Sequence, residues 1–491
     1  MTVALAQRSS SWGTSLHLLY RKVMYRKVAA ATGIAAASAL AFAGLATASQ
    51  AATPPGPVLA TPVTSIPHFP ARTPATEQIR QIAQCGNTMY AVGSFSVVKR
   101  QSATYARNNV FSFSATAPYS VTSWAPAVNG KVNTITFNGG NCGSAYIGGK
   151  FTAVGSTAVK NIAKIDTTTG DVVTAFGHSA AGQVETLTSY QNHILAGGYF
   201  TSVNGSPADP FMASLNPTTG KNDGFVHLSI SGHYDYPGVS NNTTNIYNQE
   251  LSHGGTLDLV MGDFTSVGGQ PRQQIFMLNL ATTPASVTAW TSPQWDGSEG
   301  MATPQNPSNG YPYQCATLEP FYIQAAAWSP DDGTVYIATT GYHPNGWSTS
   351  SRQPRNGLCD AAAAFPATQA PVLANWINYT GCDTLFAAAA DSAAVYIGGH
   401  ERFASNPNGC DSLGSGGFNA PGMAGLDPST GNLMLNSAGT AGLYTRGRGL
   451  GADDMLITSA GLWIASDNYQ GTQMCGGANG LGGLCLLPYP K

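Results

Sequence analysis

Short apolar stretches, broken by glycine and by polar turns, recur along the chain from about residue 79 to its end. Seven share an outline: Tyr90-Ala-Val-Gly-Ser-Phe95, Tyr146-Ile-Gly-Gly-Lys-Phe151, Leu195-Ala-Gly-Gly-Tyr-Phe200, Val260-Met-Gly-Asp-Phe264, Val335-Tyr-Ile-Ala-Thr-Thr340, Val395-Tyr-Ile-Gly-Gly-His400 and Leu462-Trp-Ile-Ala-Ser-Asp467. Each is followed by a second apolar segment, such as Asn109-Val-Phe-Ser-Phe113, Asn161-Ile-Ala-Lys-Ile-Asp166 or Met423-Ala-Gly-Leu-Asp427. A third segment recurs as Val121-Thr-Ser-Trp124, Val173-Thr-Ala-Phe176, Val287-Thr-Ala-Trp290 and Leu373-Ala-Asn-Trp376. Runs this short, rich in β-branched and aromatic residues and bounded by turn residues, predict strands.

Three of the second segments end in one turn, Asp166-Thr-Thr-Thr-Gly170, Asn216-Pro-Thr-Thr-Gly220 and Asp427-Pro-Ser-Thr-Gly431. Asp or Asn can bond the turn backbone, and Gly takes a left-handed position. A fourth segment ahead of each glycine motif completes an up-and-down sheet of four strands. Such small sheets hide both faces only when stacked in a circle. The fold expected is therefore all-β: a seven-bladed β-propeller of four-stranded antiparallel blades. The glycine runs are expected to be the inner strands, packed close to the axis and to neighbouring blades. Because the last copy stops just after its second segment, the stretch Val58 to Ile66 is expected to close the ring as an N-terminal strand in the last blade.

The Gly-Gly-x-Phe-Thr-x-Val-x-Gly core around Phe151, Phe200 and Phe264, with its downstream turn, resembles the bacterial delta-60-repeat β-propeller family. More loosely, it is similar to the extracellular propellers of fungal cell-polarity landmark proteins. The motif is partial at Phe95 and degraded in the last three copies. The resemblance implies a secreted or surface propeller without assigned chemistry, and carries over no catalytic residue.

The chain ends add a compartment. Residues 1–51 hold Arg8, Arg21, Lys22, Arg26 and Lys27, no acidic residue, and an alanine-rich run from Val28 to Ala46 ending in small residues. This predicts a signal peptide cleaved after Ala51, with Ala48 as the other candidate and Met24 as an alternative start. Residues 52–78 are then an N-terminal segment carrying the ring-closing strand, and 79–491 the propeller. The remainder after residue 51 carries about −7 at pH 7, which disfavours nucleic acid as a partner. Charged residues are 9% of the chain, which suits strands and turns better than exposed helices. All eight cysteines follow residue 51, none in CxxC spacing, so disulfides in a secreted, extracellular protein are expected. Pairing of neighbours would join Cys85 with Cys142, Cys315 with Cys359, Cys382 with Cys410, and Cys475 with Cys485.

Chemistry is harder to find. HExxH, Walker A and EF-hand patterns are absent, and no cofactor or metal site is expected. Gly177-His178-Ser179 is assigned to a loop rather than a nucleophile elbow. Asp331-Asp332-Gly333 is assigned to a hairpin turn, and Asp453-Asp454 to a solvated loop. Two insertions, residues 226–252 and 291–323, and a third around Trp347, are long for a β domain. Their aromatics Tyr234, Tyr236, Trp295, Tyr311, Tyr313 and Trp347 are the candidate ligand-binding residues, able to stack on sugar rings. The expected function is a non-catalytic, monomeric, exported propeller binding a cell-envelope or environmental glycan or a protein partner, without a membrane anchor after signal cleavage. A carbohydrate-active hydrolase, lyase or oxidase with acid and base groups from several blades is the alternative. A structural surface protein without a specific ligand is the third reading.

Overall fold

The computed structural model describes residues 56–70, 77–206, 210–233, 243–295, 315, 321–343, 357–368, 371–443, 451–468 and 482–491. Among these every regular element is a strand, and every strand pairing is antiparallel. Seven sheets share a plan of three antiparallel strands taken in chain order, with a short hairpin before the third strand in four of them. The first strands are Gln78–Cys85, Lys131–Asn138, Val184–Tyr190, Asn245–Leu251, Ile323–Trp328, Leu385–Ala390 and Asp454–Thr458. Each pairs with a glycine-motif strand, as Gln78–Cys85 does with Thr88–Ser94, and that strand pairs with a third, here Val110–Ser114.

The glycine strands are therefore second in each sheet, and the strands ahead of them line the interior cavities. Their glycines serve the packing of one sheet on the next. A Cβ on Gly148 would come within 2.4 Å of Val184 Cγ1, and one on Gly197 within 2.5 Å of Ile246 Cγ2, both in the following sheet.

The strand expected from the third recurring segment, at Val121, Val173, Val287 and Leu373, lies at the outer edge and is shorter than a full strand in most sheets. It is regular at Ser286–Val287 in the fourth sheet and at Trp376–Tyr379 in the fifth. Elsewhere it shrinks to single bridges, Phe113 with Val121, Ile165 with Val172, Leu215 with Asn222 and Leu426 with Leu433. In the last sheet residues 58–69 lie along the third strand, Leu484–Pro488. Leu59 N donates to Pro488 O at 2.8 Å, Val63 N to Leu486 O at 2.9 Å and Phe69 N to Gly482 O at 2.7 Å. Ile66 and Phe69 are fully buried there.

The core is divided into seven apolar clusters, each sandwiched between two sheets consecutive in the chain, except that one joins the seventh to the first. In that one, Trp463, Leu484 and Leu486 of the last sheet meet Ile79, Phe111 and Phe113 of the first, with Phe113 and Trp463 ring centroids 5.3 Å apart. Removing both faces of each sheet from water is the main source of stability in such an arrangement.

One backbone device repeats. The residue immediately before each third strand has a left-handed φ: Asn109, Asn161, Phe211, Gln274, Asp360, Gly422 and Gly483. Several of these side chains reach the next sheet. Asn161 Nδ2 donates to Gly182 O at 2.9 Å, and Gln274 Nε2 donates to Phe321 O at 2.8 Å.

Disulfides join Cys85 to Cys142, Cys315 to Cys359 and Cys382 to Cys410. Cys485 is disulfide-bonded too, and its expected partner Cys475 lies outside the described residues.

Candidate functional site

Six first strands carry a β-bulge at the same step. The register shifts between Ile79 and Gln81, Val132 and Thr134, Val184 and Thr186, Ile246 and Asn248, Ile323 and Ala325, and Leu385 and Ala387. The extra residues are Arg80, Asn133, Glu185, Tyr247, Gln324 and Phe386. A bulge re-aims a side chain out of the pleat, and all six line one cavity of 320 Å³, joined by Asp453, which precedes the seventh first strand. Every one of the seven sheets thus contributes one residue to a single layer. The residue before each bulge is aliphatic and fully buried, which pins the register.

On one side this layer opens into a cup of 1150 Å³. Arg80, Glu185, Tyr247 and Gln324 belong to both. Lys131, Lys150, Lys160, Asp263, Tyr199 and Tyr322 complete the chemically active lining, with Asn129, Asn161, Gln183 and Asn245 supplying amides. Tyr199 is 43% exposed, a large ring open to solvent. Glu185 accepts hydrogen bonds from Asn133 Nδ2 at 2.8 Å and from Gln183 Nε2. Burial pushes its carboxyl up, and the charges of Lys131 and Arg80 pull it back only in part. Burial lowers the Lys131 ammonium, and the Arg80 charge lowers it further. Burial raises the Tyr199 phenol, with the Glu185 and Asp263 charges adding to it. Tyr247 is driven well above the usual phenol range by burial first and by Asp263 next, and its hydroxyl donates to Ile323 O at 2.6 Å.

On the other side lies a chamber of 210 Å³ lined by Gln81, Glu250, His253, Asp453 and Asp454 among others. Burial lifts Glu250 to about 8, Asp453 to about 7 and Asp454 to about 6. Asp453-Asp454 is consequently not a solvated loop: Asp454 opens a first strand, and its carboxylate accepts from Ile82 N at 2.8 Å.

Of the aromatics expected to bind ligand, Tyr234, Tyr236, Tyr311, Tyr313 and Trp347 lie outside the described residues. Trp295 is a correction. It is 1% exposed and packs against Trp290 and Phe365, with ring centroids 5.1 and 4.9 Å away, so it serves the core. The long insertions do supply the cup, through Thr243, Asn245, Tyr247 and Tyr322. Asp331 and Asp332 cap the turn regions, Asp331 Oδ1 accepting from Gly333 N and Asp332 Oδ1 from His253 N. Arg80, Lys131, Glu185 and Tyr199 were missed by sequence reasoning. For Arg80 and Glu185 the available signal was an aliphatic residue, Ile79 or Val184, followed by a polar one near the start of a strand, while Lys131 and Tyr199 carried no signal of their own.

These features define an all-β protein of stacked antiparallel sheets with a polar channel opening into a cup. No protein-family model and no curated protein matches the chain. Among solved structures it is similar to U3-55K at 8% identity, with 87% of this chain and 99% of that chain covered and a TM-score of 0.45. It is also similar to the β-propeller domain of Myceliophteria thermophila Cps50 (Swd1), at 9% identity, 65% and 79% coverage and a TM-score of 0.36. The computationally designed Ika8 protein is similar at 8% identity, 85% and 99% coverage and a TM-score of 0.40. At these levels the likeness is one of strand arrangement, and no activity follows from it.

Proposed function

We propose that the chain is a closed seven-bladed β-propeller, exported from the cell, that binds carbohydrate non-catalytically in the cup above its axial channel. The observation that carries this reading is the lining of the cup: an exposed tyrosine ring among amide and charged side chains, in a cavity large enough for several sugar rings. Aromatic faces stack on the apolar faces of sugars, and amides and charges bond their hydroxyls. The interlocked apolar clusters, including the one between the last and first sheets, support the closed ring. Three disulfides fit an oxidising compartment outside the cytoplasm.

Glu250 and Asp454, whose charge raises the Glu250 carboxyl, share the 210 Å³ chamber. That is below the roughly 300 Å³ of an ordinary small-molecule pocket, so the cup rather than the chamber is assigned the ligand.

A glycan array followed by isothermal titration calorimetry tests the proposal. Tyr199→Ala, which removes an exposed ring, is expected to weaken binding about tenfold while leaving the melting temperature in place. Absence of binding to every glycan by the wild-type protein, or equal binding by Tyr199→Ala, overturns it.

A further inference from the structure

The cup is not electrically neutral. Arg80, Lys131, Lys150 and Lys160 line it against two carboxylates, Glu185 and Asp263. This excess of cations stands in a chain that is net acidic beyond residue 51. Lys131 lies close enough to Arg80 and Lys150 to feel both charges, which lower its affinity for a proton, while Glu185 and, more weakly, Asp453 act the other way. Glu185, the nearest acidic partner, is already engaged by the Asn133 and Gln183 amides. Arg80, Lys150 and Lys160 are exposed and Lys131 is half-buried, so like charges crowd a solvent-open cavity, where a bound anion relieves their repulsion.

A second observation points the same way. Asn245 lines the cup and is 4% exposed, and its Oδ1 has no hydrogen-bond partner among the described residues. A buried polar oxygen of this kind takes its hydrogen bond from an ordered water or from a bound molecule. Its partner must be a donor, such as a hydroxyl, since a carbonyl oxygen only accepts. The lining therefore asks for a molecule that carries both an anionic group and hydroxyls.

We infer that the ligand of the cup is an acidic sugar, whose anionic group sits against Arg80, Lys131 and Lys150 while a ring face lies on Tyr199. This rests on the carbohydrate reading above and narrows it. Arg80 can take a carboxylate or sulfate ester through two parallel N–H donors, and the two lysines act as point charges beside it.

The test is calorimetric titration of the full mature chain with three probes: an oligogalacturonide, its carboxyl-reduced neutral counterpart, and a sulfated oligosaccharide of equal length. Each is run at roughly 0.05 and 0.5 M salt, across which screening of exposed charges becomes strong. An acidic probe is expected to bind at least about tenfold tighter than the neutral one, with the advantage shrinking at high salt. Arg80→Gln and, separately, the exposed Lys150→Ala are expected to weaken binding of the acidic probes more than that of the neutral one, and so to reduce that advantage. Tighter binding of the sulfated probe than of the uronate assigns the anion to a sulfate ester. Equal affinity for acidic and neutral probes overturns the inference and leaves the carbohydrate reading standing. Failure of all three, together with a blank glycan array, overturns both. Because Lys150 is exposed, its variant remains informative if Arg80→Gln does not fold.

Discussion

The carboxylate of Asp454 accepts the backbone amide of Ile82 at 2.8 Å, across 372 positions of sequence. The same step recurs between other sheets. Gln81 Oε1 accepts from Ile135 N at 2.6 Å, and Thr134 Oγ1 accepts from Leu187 N at 2.9 Å. In each case the residue just inside the bulge layer satisfies an amide on the first strand of the next sheet. Asp454 does so from the last sheet to the first, and it is the one member of this series whose side chain can ionise.

Asp454→Ala leaves the Ile82 amide without its acceptor in a narrow channel. The expected cost is about 1–3 kcal/mol, measured as a lower denaturant midpoint with an unchanged slope. Asp454→Asn keeps an acceptor and is expected to recover most of it. A loss equal to that of Ala would show that charge, rather than the hydrogen bond, is what the position supplies.

Phe69 is fully buried, and its ring centroid lies 5.1 Å from that of Phe95. It anchors the N-terminal segment between the last and first sheets. Phe69→Ala is expected to cost about 3–5 kcal/mol in equilibrium unfolding. If the segment merely lay on the surface, the loss would stay below about 1 kcal/mol.

Stability is expected to fall as pH rises from about 4 to about 8. Burial raises Asp258 from 3.8 to about 8, with the Glu250 backbone opposing it only in part. The unfolded chain releases that proton near the ordinary carboxylate value while the folded chain holds it. Between the two values the folded state binds more protons, so each step up in pH favours unfolding. The contribution is fully present below the unfolded value and gone above the folded one. Glu250, Asp453 and Asp454 are raised as well and act in the same direction. Thermal melts of Asp258→Asn across this window should show a flatter profile than wild type. An unchanged profile would remove Asp258 from the account.

Asn161 combines a φ of 64° with hydrogen bonds from Nδ2 to Ala180 O at 3.1 Å and Gly182 O at 2.9 Å. Asn161→Gly retains the backbone conformation and loses the bonds, whereas Asn161→Ala loses both. Denaturation should rank them wild type, Gly, Ala, with Ala about 1–3 kcal/mol below wild type. A Gly variant no better than Ala would mean the left-handed conformation costs nothing at this position.

The turn Asp166 to Gly170 shows what a local pattern can carry. Asp166 Oδ1 accepts from the Thr168 and Thr169 amides, both at 2.8 Å, and Gly170 has a φ of 83°, as its residue types alone require. The strands and their order are legible for the same reason, because alternation, glycine spacing and turn residues act within a few positions. Cys85–Cys142 joins the first sheet to the second, whereas Cys315–Cys359 and Cys382–Cys410 each join the segments ahead of the first and third strands of one sheet, so all three link chain neighbours.

The site was not legible in this way. Arg80, Glu185 and Tyr247 look like ordinary residues between an apolar and a polar position, and an extra residue in a strand leaves no mark until the partner strand sets the register. Trp295 and Asp453-Asp454 misled for the complementary reason: whether an aromatic ring is covered, or a carboxylate is buried, depends on sheets supplied from elsewhere in the chain. Sequence by itself determined the repeating hairpins, because their forces are local. Tertiary structure decided which side chains share the channel, because that is fixed by how seven separate sheets pack against one another.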